Sequence, residues 1–270
     1  MTTPQQRVRR GPKSSLGWLE HFRANEEPEV LTREGPRLSE AEKAAVVASV
    51  QEFQLGESSE GRHLHRLAAE HARRTDDEDY LRAIEYFIRE EQRHARYLRD
   101  FLALEGFGTI KHRWTDTVFR RLRNLAGLEV SIGVLLTAEV IAKVYYEGLK
   151  GATRSLVLRR ICERILRDEE AHVRFQSERL AVLRRGRPEP GRKLTGLPHR
   201  TLFFGACLVV WKNHGEAMRR GGMDFRGYWL RCWEEFGTAA GMMAPESYTF
   251  PAHGKEGLSP RRMTDDGPYL

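Results

Sequence analysis

Two short segments combine a carboxylate and an imidazole at helical spacing, Glu91-Gln92-Arg93-His94 and Glu169-Glu170-Ala171-His172. Residues three apart share one face of a helix, so each segment aims both groups the same way. Oxygen and nitrogen donors without thiolates suit iron or manganese. The spacing alone is close to chance: about one Glu-x-x-His is expected from the frequencies of the two residues, and a third stands at Glu60-Gly61-Arg62-His63. Placement separates the first two. Glu91 falls where the apolar stripe Leu81, Ile84, Ile88, Ala95, Leu98 would continue, and Glu169 and His172 continue Ile161 and Ile165 toward Phe175. Both pairs therefore point at an interior.

A repeat strengthens the pattern. Glu139 lies inside an apolar face between Leu135 and Ala142, 30 residues before Glu169; Glu60 lies 31 residues before Glu91, and Glu57 lies 34 before it. Each half then reads as a helix with one inward carboxylate, a turn, and a helix with Glu-x-x-His. A buried, unpaired carboxylate costs several kcal/mol even after relaxation. Four carboxylates converging with two imidazoles call for cations between them. Two divalent ions would bring four positive charges, with the imidazoles neutral as ligands. Glu90, Glu170 and His63 read as surface residues, and His71 as a satisfied histidine.

These residues resemble the ferritin-like di-iron carboxylate superfamily, in which one Glu from each of two helices and Glu-x-x-His from each of two others hold the metals. The likeness covers roughly residues 39–185. It implies an all-α, ferritin-like four-helix bundle with two iron ions held by Glu60, Glu91, His94, Glu139, Glu169 and His172. Ligand type leaves Mn/Fe and Mn/Mn open. Glu60 fits the repeat better, whereas Gly56-Glu57-Ser58 is similar to the metal-binding helix of rubrerythrin-like proteins and favours Glu57. The resemblance implies an oxygen-dependent hydroxylase or oxidase acting on a small organic substrate. Its partners would be O2, that substrate and an external electron-donor protein, because the paired Cys-x-x-Cys tail of rubrerythrins is missing; a homo-oligomer is compatible. Ferroxidase or iron-handling activity is one alternative, and a tRNA-modifying hydroxylase is another. Leu64, Ile84, Phe87, Leu136, Tyr146 and Ile165 are candidates for a substrate-cavity wall. Tyr146, seven residues beyond Glu139, is placed to hydrogen-bond a ligand, and Lys143 to pair with Glu139.

The positioning elements follow from periodicity. Ser39 and Glu42 form a capping box opening a helix over about 40–74. Further helices are expected over about 77–105, 115–149 and 154–185, and no segment alternates as a strand. Residues 1–37 read as a loose arm with a short helix near Leu16 to Phe22. Residues 38–186 form the bundle. After a linker at Gly186 to Gly191, an aromatic-rich helical pair near 195–220 and 224–241 should pack on it, and 244–270 read as an irregular tail.

Composition narrows the partners. The chain has 270 residues, a net charge of +7 and 31% charged residues. The excess lies in dispersed arginine pairs such as Arg73-Arg74 and Arg159-Arg160, which suits a solvated helical surface more than a nucleic-acid footprint. Cys162, Cys207 and Cys232 are odd in number and lack Cys-x-x-Cys spacing, which argues against a disulfide framework. The opening residues show no signal-peptide run, and the most apolar stretch, Leu202 to Trp211, is too short to span a bilayer. A cytoplasmic location is the expectation.

Overall fold

The computed structural model describes residues 12–26, 35, 37–58, 61–111, 127–185 and 189–250. Its elements are helical: α1 (Ser15–Ala24), α2 (Glu40–Glu57), α3 (Arg62–Thr75), α4 (Glu78–Leu104), α5 (Leu128–Gly151), α6 (Leu156–Arg184), α7 (Glu189–Arg220) and α8 (Phe225–Met243), then a short 3-10 turn at Pro245–Ser247. Among the described residues no helix is long and apolar enough to cross a membrane.

Local chemistry explains most boundaries. The Ser39–Glu42 capping box is present at the start of α2. Asp77 caps α4 by accepting from the Tyr80 backbone N–H, and Ser155 caps α6 by accepting from that of Leu158. Such caps satisfy backbone donors that no helical turn can reach.

The helix expected over 40–74 is two helices. α2 stops at Glu57, and α3 starts after Gly61, whose φ of 64° is left-handed. A β carbon at Gly61 would stand 2.6 Å from Ile88 Cδ1. Glycine is needed there both for backbone conformation and for the close approach to α4. Apolar periodicity runs through this break because both pieces bury residues in the same core. The expected start of the next long helix near Thr115 lies outside the described residues, and the described part, α5, begins at Leu128. The expected linker is also shorter, because α7 already starts at Glu189.

α4 packs on α6, α2 on α4, and α5 on α6, around one continuous apolar core. α7 lies against α2 and α5, and α8 against α5 and α6. Tyr228, Cys232 and Phe236 of α8 are buried, with Phe236 stacked on Phe203 of α7. The three cysteines are buried free thiols.

The short helix of the N-terminal region is docked rather than loose. α1 packs on α4 and buries Trp18, Leu19 and Phe22. Phe22 meets Phe175 edge-on, and Trp18 Nε1 donates to Glu178 Oε2 at 3.1 Å. Each such apolar side chain contributes about 1.5–3 kcal/mol when fully buried. That anchors the chain up to Asn25, the residue capping the C-terminus of α1.

Candidate metal centre

Five of the six expected ligand residues lie among the described residues, and all five converge. Glu91 and His94 project from α4, Glu169 and His172 from α6, and Glu139 from α5. Glu60 lies outside the described residues. Glu57, the last residue of α2, fills the corresponding corner.

The side chains form two overlapping groups. Glu57, Glu91, His94 and Glu169 offer ligand atoms all within 4.8 Å of one another, as do Glu91, Glu139, Glu169 and His172. Glu91 and Glu169 belong to both. His94 Nδ1 lies 3.7 Å from Glu91 Oε1 and 3.8 Å from Glu169 Oε1. His172 Nδ1 lies 3.1 Å from Glu91 Oε1, 3.6 Å from Glu169 Oε2 and 3.7 Å from Glu139 Oε2. His94 and His172 are fully buried, and Glu139 and Glu169 nearly so.

The inward atoms are orphans. His94 Nδ1, His172 Nδ1, Glu91 Oε1 and Glu169 Oε2 are buried without a partner in hydrogen-bonding geometry. Buried polar atoms are ordinarily satisfied, so four orphans facing one point mark a place built for a further species. Protonation reflects the same crowding. Burial, then the neighbouring Glu91, pushes the Glu57 carboxyl up to about 8. Burial and the Glu139 charge raise Glu91 and hold Glu169 well above the usual carboxylate range. Burial alone would lower His172, but the surrounding Glu139, Glu169, Glu90 and Glu91 carboxylates hold it well above the usual histidine range. A cluster that retains protons to avoid repulsion is one that a cation could neutralise, and this buried set could hold a metal ion.

The outer side of each imidazole is saturated. His94 Nε2 lies 3.0 Å from Asp168 Oδ2, and His172 Nε2 lies 2.9 Å from Glu90 Oε2. The bonds cross over: each histidine is held by the acid one residue before the other helix's glutamate. Burial opposes ionisation of Asp168 and Glu90, but their bonds to His94 and His172 outweigh it and hold both below the usual carboxylate range. An ionised carboxylate only accepts, so Nε2 donates, and Nδ1 is the ring nitrogen turned toward the cluster.

The two acids are joined by Asn25, whose Nδ2 donates to Glu90 Oε1 at 2.6 Å and to Asp168 Oδ1 at 2.9 Å. Arg93 reaches Glu90 at 3.2 Å, and Arg164 Nε donates to Asp168 Oδ2 at 3.0 Å. Glu90 is therefore no surface residue. Its signal in the sequence is an acid directly before each Glu-x-x-His, Glu90-Glu91 and Asp168-Glu169. Asn25 had no such signal.

Tyr146 is fully buried and donates to Glu57 Oε1 at 2.7 Å. Burial and the Glu57 charge hold its hydroxyl well above the usual tyrosine range, so it stays a donor. Lys143 does not pair with Glu139; it bonds Glu170 at 2.5 Å and Glu235 at 2.7 Å. Glu170 is mostly exposed, as expected.

A cavity of about 180 Å³ adjoins the cluster, with Glu57, Glu91, Glu139 and Glu169 at its inner end. Phe53 of α2, Val134, Leu135 and Ile141 of α5, and Val209 and Val210 of α7 form much of its wall. None of the expected wall residues lines it. Leu64, Ile84, Phe87, Leu136, Tyr146 and Ile165 belong to the packed core instead. Periodicity tells inward from outward, but which part of an inward stripe meets a void depends on how far neighbouring helices stand apart.

No protein-family model matches the chain, and comparison with curated proteins and with solved structures returned no match.

Proposed function

We propose that the cluster is a dinuclear metal centre of the ferritin-like di-iron carboxylate type, serving an oxygen-dependent oxidoreductase that acts on a small organic molecule. The observation that carries this reading is the pair of overlapping four-residue groups sharing Glu91 and Glu169, with orphaned ligand atoms facing inward. Glu57 and His94 would hold one ion and Glu139 and His172 the other, with Glu91 and Glu169 belonging to both groups. Two divalent ions balance four carboxylates. Iron suits the donor set, and a di-iron pair supplies two electrons for the reduction of O2.

The rest is the work of the chain's own residues. Asp168 and Glu90 orient the imidazoles through Nε2. Tyr146 fixes Glu57. The apolar wall keeps water from most of the cavity and gives an organic molecule a surface to lie against. The apolar share of that wall, from Phe53, Val134, Leu135, Ile141, Val209 and Val210, favours substrate chemistry over iron storage.

The test is metal stoichiometry and Mössbauer spectroscopy on protein loaded anaerobically with Fe(II). Two irons per chain with a coupled-pair spectrum are expected. Glu91→Ala and Glu169→Ala should each remove both. One iron per chain, or two that survive both substitutions, would sink the proposal.

A further inference from the structure

We infer that the outer face of α7, continued by the start of α8, docks on the surface of an anionic lipid bilayer. The inference goes beyond the metal reading and stands or falls without it.

Large apolar side chains stand exposed in a row there. On α7, Leu197, Phe204 and Leu208 are 67%, 46% and 41% exposed, and with the half-buried Trp211 they recur at steps of seven, four and three residues. Such steps keep to one face of a helix. Phe225, 42% exposed, and Trp229 extend the row onto α8: Phe204 meets Trp229 edge-on at 5.2 Å, and Phe225 lies 5.4 Å from Trp211. The other exposed large hydrophobics among the described residues are scattered over α1, α5, α6 and farther along α8. Single ones need no explanation, but a contiguous patch marks a surface that something covers.

The charge around the patch chooses what covers it. Arg200 lies one turn before Phe204, Lys212 one turn after Leu208, and Arg226 directly after Phe225, and all three are exposed. The exposed Arg219 places its guanidinium 5.4 Å over the Trp211 ring. Against these cations stand Glu216 and Asp224, and Asp224 is engaged in capping α8. An apolar face ringed by cations suits a headgroup layer. The rings and leucines enter the acyl boundary while the cations meet lipid phosphates. A second copy fits worse, because a two-fold contact sets the same patch against itself and brings like charges together. A nucleic acid fits worse too. Bases stack on open ring faces, whereas the Phe204 and Trp229 rings pack on each other at 88° and leucines have no face to offer. The opposite side of α7 turns Val209 and Val210 into the cavity beside the carboxylates. A bilayer seated here therefore lies within one helix diameter, about 10 Å, of that cavity.

Flotation of the full chain with vesicles tests the assignment, using phosphatidylcholine alone and an equimolar mixture with phosphatidylglycerol. The protein should float with the anionic vesicles and stay behind with the neutral ones, and its binding should weaken as salt is raised. Phe204→Ser combined with Leu208→Ser should weaken binding at least about tenfold. Lys212→Gln combined with Arg226→Gln should weaken it about thirtyfold, the worth of two surface cations. Leu16→Ser, at an exposed apolar position on α1, should leave it unchanged. The substituted positions are exposed, and circular dichroism melts check that each variant folds. No flotation with anionic vesicles, or flotation unmoved by either folded double variant, overturns the proposal. Two further outcomes also overturn it. A dimer in sedimentation velocity that Phe204→Ser with Leu208→Ser dissociates, without flotation, gives this face to a second copy. A single-stranded RNA oligonucleotide bound in place of vesicles gives it to nucleic acid.

Discussion

The two sides of the His94 and His172 rings are both polar and both buried, yet they are built oppositely. On the Nε2 side, Glu90 and Asp168 face Arg93 and Arg164, and Asn25 bonds both acids. Charges balance there and the carboxylates stay ionised. On the Nδ1 side, Glu57, Glu91, Glu139 and Glu169 converge without a guanidinium or ammonium among them, and four ligand atoms lack partners. On the outer side both imidazole Nε2 atoms and all four carboxylate oxygens have partners within the protein. The inner one leaves ligand atoms without partners and could hold a metal ion. The rings between them carry this asymmetry, since Nε2 is bonded outside and Nδ1 is left facing the cluster.

If that contrast is right, the largest effect is on stability. Metal loading should stabilise the fold by about 4 kcal/mol at a thousandfold excess over Kd, on the order of 10 °C in a melting experiment. The gain should vanish in Glu91→Ala. Equal melting of metal-free and loaded protein would erase the distinction between the two sides.

Next in size is a pH dependence confined to the metal-free form. Glu57, Glu91, Glu169 and His172 have folded pKa values raised above their ordinary values. Above the ordinary histidine value of 6.5 the folded state then binds more protons than the unfolded chain, so metal-free stability should fall as pH rises from there toward the Glu57 value of about 8. Glu90, Asp168 and Glu139 act in the opposite sense below the ordinary carboxylate range, and His21, His71 and His199, lowered by burial, do so below the ordinary histidine value. With metal bound the slope should flatten or reverse, because ligation requires deprotonated groups. Thermal melts on either side of the window, at about pH 6.5 and pH 8, with and without Mn(II), give the sign.

Asn25→Ala probes the outer side. Two buried acceptors lose a donor, which costs about 1–3 kcal/mol. Metal should still bind at two ions per chain, with affinity lowered about 10- to 100-fold by looser imidazoles. Loss of all metal would mean that Asn25 belongs to the inner side. The smallest effect is expected from Tyr146→Phe. It removes one hydrogen bond to Glu57, a carboxyl that stays protonated up to about pH 8 in the metal-free protein, worth about 0.5–1.5 kcal/mol in a stability measurement, and should leave the stoichiometry intact.

Much of the inner side was legible along the chain because its ligands sit at helical spacing on apolar stripes. Glu91, His94, Glu139, Glu169 and His172 could be read as inward residues from their neighbours alone. The fourth corner could not: its two candidates lie one turn apart, and the structure places Glu57, the last residue of α2, in the cluster, while Glu60 lies outside the described residues. The outer side was half legible: the doubled acids before each Glu-x-x-His were visible, but their partners were not. Asn25 lies 65 residues from Glu90 and 143 from Asp168, and no local period links such positions.

By itself, then, the sequence determined helical character, the inward faces and the donor types, since each follows from short-range spacing and the cost of burying charge. The tertiary structure decided that Glu57 joins the cluster, what saturates the far side of each imidazole, and where a cavity opens between α2, α5 and α7. Those outcomes depend on the separation and rotation of helices far apart in the chain, which local periodicity leaves free.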